Sequence, residues 1–193
     1  IEMLREAPGL SEEDRRLCAI IQSEASRLNN LVSDMMDLAK PRKPEPETVD
    51  VAALAREVVA LASRSDRGGS GDVQVTYRGP ESAQWARCDS AQMRQVLWNL
   101  VRNGVQASGA GSTVTVTVEP HDARVVLRVA DQGPGITKEA AARIFDAFYT
   151  TRSHGTGIGL AVVRRILDDH ASLGATLDVR SGTQDEGSPR GAV

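Results

Sequence analysis

The first forty residues carry a hydrophobic seam with the spacing of a helix that packs lengthwise against another helix. Apolar residues alternate four and three positions apart, with Glu24 in the one polar slot; they are Leu17, Ile21, Leu28, Leu31, Met35 and Leu38. This heptad spacing is typical of coiled coils and helical bundles. Ser11 and the acids at 12–14 suit a helix start, and Pro41 ends the pattern. We predict a helix to about Ala39, roughly 40 Å long at 1.5 Å per residue.

A single seam of this length cannot bury itself. It predicts a helical hairpin, with residues 1–7 ending the preceding antiparallel helix, that dimerises into a four-helix bundle. The alternative is a helix packed on its own globular domain. Three prolines within 41–46 favour a semi-rigid spacer and argue against that alternative. We therefore predict a partial helical hairpin over 1–40, a Pro-rich linker over 41–48 and a second domain over 49–193.

The periodicity changes after the spacer to a mixture of helices and strands. Helical spacing covers 51–63, 90–107 and 157–169, and alternation covers 73–77, 85–88, 114–118, 125–129 and 175–179. A turn at 120–122 should join two of the strands as an antiparallel pair. The order predicts an α/β two-layer sandwich, with a mixed, mostly antiparallel sheet and helices on one face.

Composition narrows the classes of function. Hydrophobic residues make up 40% of the chain and aromatic ones 3%, so the core must be built from Val, Leu, Ala and Ile. A net charge of −3 argues against nucleic-acid binding. No apolar run approaches the roughly 18 residues of a membrane span, so we expect no membrane contact from this part. Cys18 and Cys88 are expected to be unpaired thiols in the cytoplasm.

Four short segments in the second half carry the candidate chemistry. In order they are 99–103 (NLVRN), 131–136 (DQGPGI), 145–148 (FDAF) and 155–160 (GTGIGL). Asn99 and Asn103 share one helix face, where carboxamides could offer oxygens to a hard cation and N–H groups to phosphate. The same pair also suits a solvent-facing helix surface.

The second segment suits an adenine pocket. Asp131 ends a predicted strand, where its carboxylate could accept from an adenine amino group, and Gly133 and Gly135 would let the backbone approach a flat base. A Gly-Pro turn with an Asp favoured by turn chemistry explains the same residues.

The last segment suits phosphate. Gly155, Gly157 and Gly159 lead into a helix whose first amides could bind an anion. The spacing fits neither a dinucleotide fingerprint nor a P-loop, so phosphate charge must be met by amides, a metal ion and an arginine, either Arg152 or Arg102. The aromatic residues before it, together with glycine hinges, predict a closing lid over about 137–156, or else a surface loop with a hydrophobic latch.

Together the segments resemble the N, G1, F and G2 boxes of the sensor histidine kinases, in the GHKL superfamily. The run 148–160 is similar to their nitrogen-regulation branch. Residues 23–39 resemble the second helix of the dimerisation and histidine-phosphotransfer domain, and those from about 48 onward resemble the catalytic, ATP-binding domain.

The resemblance implies ATP and Mg²⁺ as ligands. Asn103 would coordinate Mg²⁺ and Asn99 would contact the phosphates or share the ion, with Asn99 and Arg152 as the catalytic residues. Asp131 would bind adenine, and Arg152 would hold the triphosphate under the lid. The implied ATP-binding set is Asn99, Arg102, Asn103, Asp131, Gly133, Gly135, Ile136, Phe148, Thr151, Arg152, Gly155, Thr156, Gly157, Ile158, Gly159 and Leu160. The implied partners are a second copy, through the N-terminal helices, and a response regulator receiver domain.

Two departures from the family pattern stand out. Gly104 replaces the usual Ala of the N box, at a cost of about 1 kcal/mol in a helix interior. The phosphoacceptor motif, a His followed by Glu, is absent, since His121, His154 and His170 lack that context. We expect the motif upstream of Ile1 in a longer sensor, either membrane-bound or not, and we expect this chain to bind ATP without phosphorylating itself.

Three alternatives stay open. GHKL ATPases place a Glu four residues before the magnesium Asn as a general base, but that position is Asn99 here. An anti-sigma serine kinase shares the pocket but lacks a long heptad helix. A dimeric nucleotide-sensing scaffold would bind without catalysis.

Overall fold

The computed structural model describes residues 11–39, 43–65, 73–152 and 155–181. The chain divides into two compact units between Pro41 and Arg42. The first contains helix α1 (Glu12–Ala39). The second contains β1 (Glu47–Asp50), α2 (Val51–Ser65), β2 (Gln74–Arg78), β3 (Trp85–Cys88), α3 (Ser90–Ala107), β4 (Thr113–His121), β5 (Arg124–Ala130), α4 (Lys138–Ala141), α5 (Gly159–Asp169) and a 3₁₀ turn (Ala171–Leu173).

Helix α1 begins with a reciprocal cap. The Ser11 hydroxyl accepts the Asp14 N–H at 3.1 Å, and the Asp14 carboxylate accepts the Ser11 N–H at 3.1 Å. The Ser11 hydroxyl also donates to that carboxylate, and these bonds lower the pKa of Asp14. The predicted start and end of the helix are confirmed, and the preceding helix predicted over 1–7 lies outside the described residues.

The second unit packs helices on one face of a three-stranded sheet. Strand β4 is central, parallel to β2 and antiparallel to β5, while β1 and β3 form a separate antiparallel pair. Val114, Val116 and Val118 of β4 are fully buried, whereas the threonines between them are half-buried. The alternation directs one face of the sheet toward α2 and α3, and α3 also packs on α5. The predicted α/β sandwich is confirmed.

Most predicted elements are found, and three details were wrong. Strand β1 begins within the predicted linker, because its pairing with β3 is a long-range contact that local patterning does not reveal. Helix α5 begins at Gly159 instead of 157, since the backbone of Gly157 has a positive φ of 66°. Such a φ lies outside the right-handed helical region. Residues 175–179 form no strand despite their alternation.

None of the helices in the described ranges combines the length and the apolar composition that a membrane span needs.

Candidate nucleotide-binding site

The start of α5 lies directly against the middle of α3. A Cβ placed on Gly159 would be 3.5 Å from Asn99 Oδ1 and 3.7 Å from Arg102 Nη2. Asn99 is only 4% exposed, so its carboxamide is held in this contact. The side chain of the N-cap residue, Ile158, makes no capping hydrogen bond to the first-turn amides of α5. The beginning of a helix, a carboxamide and a guanidinium therefore lie close together, which is the donor set of an anion site at a helix N-terminus.

Arg152 joins the far end of α3 to the segment that precedes α5. Its Nη1 donates to Gln106 Oε1 at 2.8 Å and its Nη2 donates to the Asn103 carbonyl at 3.2 Å. Burial lowers the pKa of Arg152; the Asp131 carboxylate opposes that shift and the Arg102 charge adds to it. Three charged residues of the predicted site therefore lie close enough to interact electrostatically: Arg152, Asp131 and Arg102.

Asp131 is fixed where β5 ends. Its Oδ1 accepts the Gly133 N–H at 2.8 Å, the geometry of an Asx turn. Gly104 brings α3 close to the same place, since a Cβ there would lie 3.3 Å from the Asp131 Cβ and 3.2 Å from Val114 Cγ1. A Cβ on Gly133 would lie 2.9 Å from the Ala107 carbonyl. Gly133 therefore permits close packing against the end of α3, which is a different reason from the predicted approach to a base.

One backbone hydrogen bond joins two segments near the end of the predicted lid. The Phe148 N–H donates to the Gly157 carbonyl at 2.9 Å, and both residues have positive φ, 68° and 66°. A Cβ on Gly157 would come within 2.5 Å of the Phe148 carbonyl carbon, so no other residue fits there without movement.

The aromatic side chains of the lid divide into two kinds. Arg143 stacks 4.4 Å from the Tyr149 ring centre. Arg164 of α5 lies 5.9 Å from the ring centre of Phe145. Phe148 is 64% exposed. Phe145 therefore contacts α5, Tyr149 packs within the predicted lid, and the side chain of Phe148 is presented to solvent.

The other predicted residues surround this arrangement. Ile136 donates its N–H to Ser181 Oγ at 2.8 Å, and Ile158 is completely buried. Thr156 Oγ1 accepts the Ile158 N–H at 3.4 Å, Gly155 packs against Thr150, Thr151 is exposed and Leu160 is half-buried. Gln106, Thr150 and Ser181 were missed, because single polar residues without a motif carry no local pattern.

Two protein-family models match the chain. The model described as histidine kinase-, DNA gyrase B- and HSP90-like ATPase matches residues 88–191, more than half of the chain. The chain belongs to this ATPase family. The model of the His Kinase A (phospho-acceptor) domain matches residues 1–44, which places the chain with the sensor histidine kinases. The predicted resemblance is confirmed, while the nitrogen-regulation branch stays a prediction.

Curated relatives agree with this assignment. Sensor histidine kinase ZraS of Escherichia coli (strain K12) is 33% identical over 169 residues, which are 88% of this chain and 35% of ZraS. Sensor protein kinase PilS of Pseudomonas aeruginosa is 32% identical over an alignment of 193 positions, which covers 93% of this chain and 34% of PilS. The chain thus spans about a third of the length of these relatives.

Solved structures of histidine kinases share the fold. Full-length ShkA in complex with AMPPNP matches with a TM-score of 0.67 at 28% identity, over 98% of this chain and 39% of ShkA. ThkA in complex with the response regulator protein TrrA matches with a TM-score of 0.72 at 26% identity, over 99% of this chain and 53% of ThkA.

Neither of the two histidines that the structure describes occupies the place of a phosphoacceptor. The first 44 residues, which match the phospho-acceptor model, contain no histidine. His170 is 1% exposed, and His121 is the exposed last residue of β4, beside Asp122. His154 lies outside the described residues.

Proposed function

We propose that this chain carries the catalytic, ATP-binding part of a sensor histidine kinase and transfers the γ-phosphoryl group of Mg-ATP to a histidine of a separate phospho-acceptor domain. The carrying observation is that the first residue of α5, Gly159, lies against the side chains of Asn99 and Arg102. The finer divisions proposed are a partial phosphotransfer hairpin over 1–40, a linker that ends where β1 begins at Glu47, and a catalytic domain from there to 193 with its lid at about 137–156.

The transfer needs no reactant besides ATP and the acceptor histidine. The bond between the γ-phosphorus and the β–γ bridging oxygen breaks, and ADP keeps the electron pair. A bond forms between the same phosphorus and the unprotonated imidazole nitrogen, which supplies its lone pair, and the proton on the other ring nitrogen passes to solvent. The protein's part is positioning and charge stabilisation, because such phosphoryl transfer needs little covalent help.

The adenine end of the site is assigned to Asp131. Its Oδ1 is engaged by the Gly133 N–H, which leaves the second carboxylate oxygen to accept from an exocyclic amino group. Gly135, with a φ of 79°, keeps the following loop free of side-chain strain. The triphosphate would extend from here toward Arg152 and the start of α5.

The donor set fits magnesium bound through a nucleotide. Within the described residues, no three His, Cys, Asp or Glu side chains form a metal-binding group. Magnesium is usually held by few protein ligands plus phosphate oxygens, and Asn103 with Asn99 would supply carboxamide oxygens. When bound, the ion would neutralise charge that develops on the phosphates.

Asn99 favours transfer over hydrolysis. An ATPase of this family needs a carboxylate there to take a proton from water, and a carboxamide cannot do so at neutral pH. Because Asn99 is buried against Gly159, it can orient phosphate without activating water.

Two partners follow from the proposal. The exposed seam of α1 would be covered by a second copy, since Leu17, Ile21, Leu28 and Met35 are all largely exposed in one chain. A receiver domain would collect the phosphoryl group, in line with the ThkA complex with a response regulator protein. Because the proposed reaction uses ATP, we place this ATP-binding domain in the cytoplasm.

A transfer assay tests this function. Radiolabelled Mg-ATP is mixed with the chain and an isolated phospho-acceptor domain that bears its histidine. We expect label on the added domain only, and none without magnesium. Label on this chain itself would refute transfer to a separate domain.

A matched pair of variants tests the nucleotide site. Asp131→Asn should weaken ATP binding by roughly 10- to 100-fold, because Oδ1 still accepts from Gly133 while the other atom becomes a donor facing the adenine amino group. Asp122→Asn, the same substitution in the exposed β4–β5 turn, should leave binding unchanged. No ATP binding by the unmodified chain in calorimetry would refute the site assignment.

A further inference from the structure

His170 is almost completely buried, although no step of the proposed function uses it. Its Nε2 lies 3.0 Å from the Asp89 amide nitrogen, and its Nδ1 lies 2.8 Å from the Ile166 carbonyl oxygen. A backbone amide can only donate and a carbonyl can only accept. Nε2 therefore accepts, Nδ1 carries the hydrogen, and the imidazole has one defined tautomer with both nitrogens bonded.

The partner of His170 is the residue that starts α3. Asp89 is the N-cap of α3, where its Oδ1 accepts the Gln92 N–H at 3.0 Å. Its Oδ2 accepts the Glu45 N–H at 3.0 Å. His170 itself follows the last residue of α5. One buried bond thus joins the end of α5 to the beginning of α3.

The opposite ends of the two helix segments also meet. Gly159, at the beginning of α5, lies against Asn99, in the middle of α3. The intervals from Asp89 to Asn99 and from Gly159 to His170 are about 15 Å and about 16 Å at 1.5 Å per residue. The two segments are therefore antiparallel, matched in length and fixed at both ends.

We propose that His170 is a positioning residue that sets the register of α5 along α3. If the bond to Asp89 is lost, α5 is free to slide or tilt, and its first-turn amides move relative to Asn99. The consequence for the nucleotide rests on the proposed function, whereas the register itself is a property of the chain alone.

Two substitutions separate the two bonds of the imidazole. His170→Asn keeps a donor near the position of Nδ1 and removes the acceptor for Asp89. His170→Gln can place an oxygen near the position of Nε2 and so keeps that acceptor while it loses the donor to Ile166. Both variants replace the ring by a carboxamide, so a difference between them reports which of the two bonds is kept, that to Asp89 or that to Ile166.

The first readout needs no nucleotide. In the ¹⁵N-labelled unmodified chain we expect a scalar coupling across the hydrogen bond between Asp89 N and His170 Nε2, and a nuclear Overhauser effect between Gly159 Hα and the Asn99 side-chain amide. The latter should persist in His170→Gln and vanish in His170→Asn. An unmodified chain without the coupling would overturn the proposal even if neither variant folds.

The second readout compares ATP with adenosine. His170→Asn should weaken ATP binding by about tenfold or more and leave adenosine binding within about twofold, because only the phosphate end moves. His170→Gln should stay within about threefold of the unmodified chain for both ligands. Equal behaviour of the two variants, or a parallel loss of ATP and adenosine, would overturn the positioning role. If the unmodified chain shows the coupling but binds no ATP, the proposed function fails and the register is judged on the first readout.

Discussion

At the scale of single residues, Gly157 brings two backbone segments of the predicted lid into close contact. Gly157 has a positive φ and would place any Cβ within 2.8 Å of Phe148 Cα and within 2.7 Å of the Tyr149 carbonyl oxygen. A substitution there meets two separate costs, the backbone strain of positive φ and the collision with the neighbouring chain.

Gly157→Ala and Gly111→Ala separate those two costs. Gly111 has a φ of 79° and nothing within 4 Å of a Cβ placed on it. Its substitution should therefore cost only the strain, on the order of 1 kcal/mol. Gly157→Ala should add a steric cost and weaken ATP binding, because Phe148 and Tyr149 must move. Denaturant unfolding and calorimetric ATP titration measure the two effects, and equal results for the two variants would show that the Phe148–Gly157 contact contributes nothing.

The sequence shows which glycines are important more readily than it shows why the structure needs a glycine there. Gly104 is predicted as a weak point in a helix, yet it allows α3 to approach Val114 and Asp131. Gly133 is predicted to admit a base, and its neighbour in the structure is Ala107. Composition and spacing mark a glycine as unusual, but only the folded neighbours show what its missing side chain makes room for.

At the scale of elements, predictions succeed where a segment's own pattern decides its structure. Helix α3 has the predicted bounds, because its apolar stripe and the Asp89 cap are both local. Strand β1 is short, and its pairing with β3 is not visible in its own sequence. The neighbouring prolines therefore led to the prediction of a linker. The bond from His170 to Asp89 spans 81 positions, and a lone histidine at a helix end gives no hint of it.

Arg152 connects the predicted lid to α3 through two hydrogen bonds, one to the Gln106 side chain and one to the Asn103 carbonyl. A substitution of Gln106 changes only the first. Gln106→Ala leaves Arg152 only the bond to the Asn103 carbonyl. Gln106→Glu instead converts the neutral Arg152–Gln106 acceptor into a charged one, which makes a stronger bond. Trypsin cleavage after Arg152 should be faster in Gln106→Ala and slower in Gln106→Glu than in the unmodified chain, since cleavage requires a locally open segment.

Cleavage elsewhere in the chain provides the internal control for that experiment. Mass spectrometry of timed digests should show unchanged rates at Arg15 and Arg16 of α1, and Mg-ATP should slow cleavage after Arg152. If both Gln106 variants changed cleavage in the same direction, the Arg152–Gln106 bond would not control the lid.

At the scale of the whole molecule, the two units differ in how completely they bury their apolar side chains. The second unit buries its valines between helices and a sheet, whereas α1 leaves a row of large apolar side chains exposed. A long helix with an unburied seam is not a stable arrangement in water, because most helical stability in proteins comes from packing of the apolar face. A second copy can cover the seam by symmetry, as in an isologous interface.

Leu28→Glu and Asn29→Glu test this arrangement as a matched pair. Leu28 lies on the seam and is 62% exposed in one chain, while Asn29 is an exposed neighbour off the seam. Sedimentation analysis should show a dimer for the unmodified chain and for Asn29→Glu. Leu28→Glu should be a monomer with reduced helical circular dichroism, because an unpaired carboxylate in the interface costs several kcal/mol. A monomeric unmodified chain, or a Leu28→Glu variant that still dimerises, would mean that α1 packs on something other than a second copy of itself.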